Sequence, residues 1–302
     1  MVQWENSREN VLLAENSNLE QKTKEEQLIR RRLEFQLETA QVFQKLLLPS
    51  PLVHEEISSC FFYAPAEKIG GDWFTYLLDE REEVFYTIII DVTGHGLVSA
   101  MLASFLSGIV AAHFEDNIAT KDSALRLKIL SEKINRVLFS SSAQSGMAAT
   151  GLLLAVDKNQ GSIFYINCGH PPILIKQEST FEIIPSSGRR LGIVRESDFE
   201  VQRIPLLGDG RLFTYTDGLI DNCSDHPFKM SSRHLKKLLD KTVELNVEDA
   251  KHLLQSHFEN HFEKSLENDD ATFILIDWNL ANKISEESPP DVPPGEHKDQ
   301  VV

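Results

Sequence analysis

A chain of 302 residues with 41% hydrophobic content can bury one substantial core, and a formal charge of −16 argues against the broad basic footprint that nucleic-acid binding needs. Cys60, Cys168 and Cys223 are odd in number and form no CxxC pair, which argues against a disulfide framework or a structural zinc site and leaves three partly buried thiols. The apolar runs Phe85 to Val92 and Leu97 to His113 are interrupted or short of a span of ~20 residues, and the start MVQWENSREN lacks a basic region followed by an apolar one, so the expectation is a cytoplasmic protein with no membrane insertion.

From about Glu5 to Leu48 there is no proline or glycine, and Glu, Gln, Lys, Arg and Leu dominate, all good helix formers. Steps of seven give Leu12, Leu19, Glu26, Leu33, Ala40 and Leu47. The seam between them adds Ile29 and Phe43 but also Glu15, Lys22 and Gln36. So long a helix with so narrow an apolar stripe predicts a coiled-coil or linker helix over residues 1–48 that forms a parallel homodimer; the alternative is a helix folded back on its own domain. Pro49 and Pro51 then end it.

Beyond Pro51 the periodicity changes to that of strands: ISSCFFYAPA, then WFTYLLDE and VFYTIIIDV across the charged turn DEREEV. GLVSAMLASFLSGIVAAHF predicts a mostly buried helix entered after Gly96, and Ser123 to Phe139 an amphipathic one. Strands return in ATGLLLAVD, GSIFYINCG, PPILIKQ and RLFTYTD, followed by helices over His234 to Asp240 and Val247 to Phe262 and a last strand TFILIDW. This order predicts an α+β domain of mostly antiparallel sheet with helices outside, over residues 49–282. The tail 283–302 has too little apolar content to order itself.

Four places share one local grammar, an apolar strand running into or out of an aspartate beside a small residue: Asp72 in IGGDW, Asp91 in IIIDVTGHG, Asp217 in FTYTDGL, and Asp269 with Asp270 in NDDATFILI. A carboxylate at the end of an apolar strand is costly to desolvate unless a cation or hydrogen-bond donors meet it. Oxygen ligands without nearby Cys or His pairs point to a hard ion, Mg²⁺ or Mn²⁺. Two such ions would activate a water and clamp a phosphoryl group. Singly, each aspartate also fits an ordinary turn.

The ordered set resembles the bacterial sporulation-type (stage II E-like) serine phosphatases, the sigma-factor-regulator branch of the metal-dependent protein phosphatase 2C-like superfamily. The resemblance covers about Leu33 to Trp278 and rests on LETAQVFQKLLLPSP, PAEKIGGDWF, IIIDVTGHGLVSAMLAS, GLLLAVDKNQGSIFYINCGHPPILI, LGI, FTYTDGLID and DDATFILI in the family's order. A GGDEF-type nucleotide cyclase, the other owner of a Gly-Gly-Asp signature, has Glu after the Asp where this chain has Trp73.

The resemblance implies two packed antiparallel sheets flanked by helices, two ions (Mn²⁺ or Mg²⁺), and hydrolysis of phosphoserine or phosphothreonine by a metal-activated water. It makes Asp91 the carboxylate shared by both metals, the Val92 carbonyl a further ligand, Asp217 and Asp269 the sphere of the second metal, and Asp72 a residue beside the first; Asp270 is the fallback for Asp269. Asp72 and Asp91 are thereby the catalytic candidates. Gly94 and Gly96 would let the chain turn past the ions. His95 could serve as a general acid or shape the loop. His170 in CGHPPIL suggests a structural turn, and Lys68, Arg189 and Arg190 are candidate phosphate contacts.

The implied substrate is a phosphorylated anti-sigma-factor antagonist, with a sensor or activator acting through the N-terminal helix. Two departures from the family pattern stand out: Thr75 where an acidic residue is common, and Arg190 where a proline is usual. Thr75 would remove an acceptor near the first metal and so motivates the alternative, a catalytically inactive phosphatase-like binding module.

Overall fold

The computed structural model describes residues 2–94, 96–115, 120–177, 179–222, 230–262 and 269–279. His95, Cys223 and the tail 283–302 lie outside the described residues. Helix α1 (Val2–Leu46) leads into a domain built from β1 (Leu52–Val53), β2 (Ile57–Ala64), β3 (Asp72–Asp79), β4 (Val84–Val92), α2 (Leu97–Glu115), α3 (Ser123–Ser145), β5 (Ala149–Asp157), β6 (Ser162–Cys168), β7 (Ile173–Lys176) and β8 (Glu182–Ile184). It continues through β9 (Gln202–Pro205), β10 (Asp209–Tyr215), the single turn α4 (Gly218–Asp221), α5 (Ser232–Leu239), α6 (Val247–Phe262) and β11 (Ala271–Asn279).

Two sheets result, with orders β1-β2-β11-β10-β7-β8 and β3-β4-β5-β6-β9, and every strand pair is antiparallel. Between them lies an apolar layer that includes Phe74, Phe85, Ile89, Leu152, Leu154, Leu212, Ile274 and Trp278. Outside the second sheet, α2 and α3 bury Leu106, Val110, Leu130 and Ile134 against Ile88, Ile90 and Leu153. Outside the first, α5 and α6 bury Leu239, Leu254 and Phe258 against Phe213 and Phe273. Both faces of β4 and β5 are therefore covered, which is why these strands read as unbroken apolar runs.

The predicted α+β sandwich is what the chain forms. The helix expected over Ser123 to Phe139 runs on to Ser145, since no proline or glycine intervenes before Gly146. The segment Leu97 to His113, too short by the sequence reading, becomes a 19-residue helix long and apolar enough to cross a membrane. In the fold, however, its residues Ala103, Leu106 and Val110 pack on the sheet. Burial pushes the Cys60 thiol up to about 12 and raises that of Cys168 as well, so both are inert structural residues.

An ion pair between the buried Arg211 and the partly buried Asp277 fixes the end of the sandwich where β10 begins and β11 ends. Arg211 Nε and an Nη donate to the two carboxylate oxygens of its cross-strand partner Asp277, both at 2.6 Å, and its remaining donors reach the carbonyls of Thr242 and Leu245. Removing the guanidinium would leave Asp277 and two carbonyls without partners, which costs about 3–5 kcal/mol. Arg211→Met is expected to lower the melting temperature by roughly 10 °C. A thermal melt showing a loss under ~3 °C would refute that weight.

Candidate active site

The register of the second sheet brings the first two aspartates together. Asp72 opens β3, Asp91 is the penultimate residue of β4, and the two are direct cross-strand partners; on its other side Asp91 faces Thr150 of β5. From the first sheet, β10 ends just before Asp217 and β11 begins just after Asp269 and Asp270. The antiparallel pairing of these two strands puts all three at the same end of the sandwich. The strand-end aspartates singled out in the sequence thus converge on one edge from four strands.

Asp72 is 1% exposed. Its Oδ2 accepts hydrogen bonds from Thr216 Oγ1 at 2.8 Å and Thr272 Oγ1 at 2.6 Å, so β10 and β11 hold a carboxylate carried by the opposite sheet. Its pKa is raised well above the ordinary range by burial first and by the Asp91 and Asp270 charges next. Burial, then Asp217 and Asp269, pushes Asp91 up to about 8, against one hydrogen bond from Thr150 Oγ1 at 3.3 Å. Asp269 is pushed up to about 6, chiefly by burial, with Asp217 adding to it. Asp217 is raised by burial and by Asp221, while Arg190 pulls it down. Each raised carboxylate thus has a neighbouring carboxylate among its causes, the electrostatic signature of a cluster that stores like charge. Among the described residues, no three His, Cys, Asp or Glu side chains close around one point.

The backbone is shaped for close approach. The Val92 carbonyl faces Gly71, where an added Cβ would sit 2.8 Å from that oxygen. Any side chain there would push β3 away from the turn after β4. Gly94 and Gly96 take φ of 89° and 84°, the left-handed geometry expected of this turn.

Asp269 and its fallback Asp270 separate cleanly. Asp270 is 3% exposed and its carboxylate is committed to the chain, accepting from Ala66 N at 2.8 Å and Gly71 N at 2.5 Å. Among the described residues, the Asp269 carboxylate accepts one hydrogen bond, from the neighbouring Asp270 N at 2.9 Å. Its backbone is fixed by Asn222, whose amide donates to Asp269 O at 2.7 Å and accepts from Asp269 N at 3.2 Å.

Of the three basic candidates, Lys68 is turned away and donates to Glu38 of α1 at 2.9 Å, and Arg189 is exposed. Arg190 lies beside the cluster, its stem passing over Gly169. His170 is fully buried and held neutral, its pKa lowered to about 3; its Nδ1 lies 3.2 Å from Thr150 Oγ1, so it braces the hydroxyl that reaches Asp91. Its backbone N–H donates to Asn167 and its carbonyl accepts from Asn167, the structural turn expected of CGHPPIL. Thr75 corrects an expectation. By the alternation of β3 it shares the face of Trp73 and Leu77, which pack toward α2, whereas Asp72 shares that of Phe74 and Tyr76 between the sheets. Its departure from the family pattern therefore leaves the carboxylate cluster untouched.

Nothing in the sequence singles out Thr150, Thr216 or Thr272. The one available signal was that two of them stand one or two residues from an aspartate, in TYTDG and DDAT.

Residues 81–279 match the family model of stage II sporulation protein E (SpoIIE). The chain belongs to the SpoIIE family. The matched span begins after Asp72 and includes Asp91, Asp217 and Asp269. The phosphoserine phosphatase RsbP of Bacillus subtilis is 27% identical over 244 residues, 80% of this chain and 57% of RsbP. The chain spans about half the length of the curated relatives it matches. Among solved structures, the SiaA-PP2C domain of Pseudomonas aeruginosa superposes with a TM-score of 0.67 at 16% identity, covering 83% of this chain and 98% of that domain. RsbX in complex with magnesium gives 0.53 at 16% identity, covering 76% and 99%. These structures establish the PP2C-like fold for this SpoIIE-family chain.

Proposed function

We propose that the chain is a metal-dependent protein serine/threonine phosphatase, using two Mn²⁺ or Mg²⁺ ions held by Asp91, Asp217, Asp269 and the Val92 carbonyl, with Asp72 beside the first. The observation that carries the reading is the meeting of Asp72, Asp91, Asp217 and Asp269 at one sandwich edge with raised pKa values. Clustered carboxylates that raise one another's pKa fit hard cations, because a cation relieves the repulsion that protons otherwise relieve. When bound, the ions supply charge to hold the phosphoryl group and to activate water. The chain's own part is positional. Thr216, Thr272 and Thr150 fix the carboxylates, and Arg190 offers a guanidinium to the phosphate of an incoming substrate. The test is hydrolysis of an aryl phosphate by the full chain with and without Mn²⁺; no metal-dependent turnover would sink the enzyme reading.

Similarity to the phosphoserine phosphatase RsbP supports a phosphoserine substrate, and the proposed physiological substrate is a phosphorylated anti-sigma-factor antagonist acting in the cytoplasm. Residues 1–48 serve as the regulatory segment, 49–282 as the catalytic domain and 283–302 as a tail. α1 exposes Leu19, Ile29, Leu33 and Phe43 along its seam, an unpaired stripe suited to a second copy of the same helix or to an activator. Its end is already joined to the domain by Gln44 in its last turn and by Leu47 and Leu48 just after it, so a cut at residue 48 would disturb both parts. Deleting residues 2–40 instead is expected to turn a dimer into a monomer by light scattering. An unchanged mass would rule out the coiled coil.

A further inference from the structure

The backbone that leads into Asp72 is held by one side chain of the N-terminal helix. Gln44 is 5% exposed and is the one buried residue among the described side chains of α1. Its Nε2 donates to the Gly70 carbonyl at 2.7 Å, and its Oε1 accepts from Gly70 N at 3.2 Å and from the Tyr63 hydroxyl at 3.2 Å. A buried amide is tolerated where its donors and acceptor are matched, and a leucine at this place would have satisfied the apolar stripe without needing partners. Gly70 and Gly71 have no side chains, so the approach to Asp72 can be fixed only through backbone groups. Gln44 takes both groups of Gly70, while Asp270 takes the N–H of Gly71. On the far side of Asp72, the Trp73 indole donates to the Leu47 carbonyl at 3.3 Å. The last turn of α1 and the residue that follows it therefore bracket the aspartate from two residues before it to one after it.

We infer that Gln44 is a positioning residue, the link through which the placement of α1 sets the position of Asp72 and hence metal affinity at the first site. This rests on the phosphatase reading above. A shift of the helix along its axis would draw Gly70 with it, because the two hydrogen bonds grip the peptide groups on both sides of its Cα.

The experiment is Mn²⁺ binding to the full chain by calorimetry, with turnover at saturating Mn²⁺ measured in parallel, for wild type, Gln44→Met, Gln44→Asn and Val42→Ala. Gln44→Asn keeps an amide but is one methylene short of Gly70, and it carries the test should Gln44→Met fail to fold. Both Gln44 variants are expected to bind Mn²⁺ three- to tenfold more weakly with turnover at saturation within twofold of wild type. Val42→Ala, exposed on the same helix, should bind as wild type does. Wild-type affinity in the Gln44 variants, or equal weakening in Val42→Ala, overturns the link while leaving the phosphatase reading intact. Absence of Mn²⁺ binding by wild type overturns both.

Discussion

Asp91→Asn is expected to abolish Mn²⁺-dependent aryl phosphate hydrolysis while making the metal-free protein more stable. The loss follows from position. Asp91 is the one carboxylate whose pKa is raised by Asp217 and Asp269 from the first sheet while it pairs with Asp72 across the second, so it stands between the two proposed ion positions. Removing its charge takes away several kcal/mol of metal and transition-state stabilisation, about 10³-fold or more in turnover.

The gain in stability follows from linkage. Asp91 titrates at about 8 in the folded protein and near ~3.9 in the unfolded chain. Between those values the native state keeps a proton that the unfolded state has released, so unfolding free energy falls as pH rises through the window. Its contribution is fully present below the unfolded value and is lost as pH climbs through 8. Asparagine is neutral throughout, so the metal-free mutant should out-melt wild type by a margin that widens from pH 6 to pH 8, reaching about 5 °C. Mn²⁺ should reverse the order, since the ion binds the deprotonated cluster and stabilises by mass action, about 2.7 kcal/mol at a hundred times its dissociation constant. Differential scanning at both pH values, with and without Mn²⁺, checks all of this. A mutant that melts below wild type without metal would show that Asp91 is held by favourable contacts and stores no charge repulsion.

How much of this was legible in the sequence depends on whether a feature is local. β4 and β5 announce themselves because both their faces are buried, and the aspartates at their ends stand out against that apolar background. β1, β8 and β9 escape notice because they are two to four residues long and lie at sheet edges, where one neighbour suffices and no alternation is enforced. The threonines that grip Asp72 are invisible for another reason. Thr272 lies 200 positions from it in the chain, and nothing about a threonine in a strand reveals which carboxylate its hydroxyl will meet. Gln36 and Gln44 look alike as polar interruptions in a helix, yet Gln36 is exposed and Gln44 is buried on Gly70. Thr75 misleads because sequence proximity to Asp72 hides the pleat, which turns it to the opposite face.

The neighbours Asp269 and Asp270 offer the strongest contrast between two substitutions of the same kind. In Asp269→Asn the side-chain oxygen that accepts from Asp270 N at 2.9 Å can be kept, and the charge that repels Asp217 disappears. The melting temperature should stay within ~2 °C of wild type or rise, while Mn²⁺-dependent turnover falls by about 10² or more. In Asp270→Asn one carboxylate oxygen becomes an amide donor, and it must face either Ala66 N or Gly71 N, donor against donor. Leaving a buried N–H unsatisfied costs about 1–3 kcal/mol, so the melting temperature should fall by roughly 5 °C without metal present. Turnover would then suffer only as far as Gly71 moves Asp72. The discriminating quantity is the Mn²⁺-induced rise in melting temperature. It should shrink markedly in Asp269→Asn, which loses the second ion's ligand, and survive in full, from a lower baseline, in Asp270→Asn. The opposite pattern would transfer the metal-binding role to Asp270, whose two oxygens would then have to serve an ion with the lone pairs left over from Ala66 N and Gly71 N.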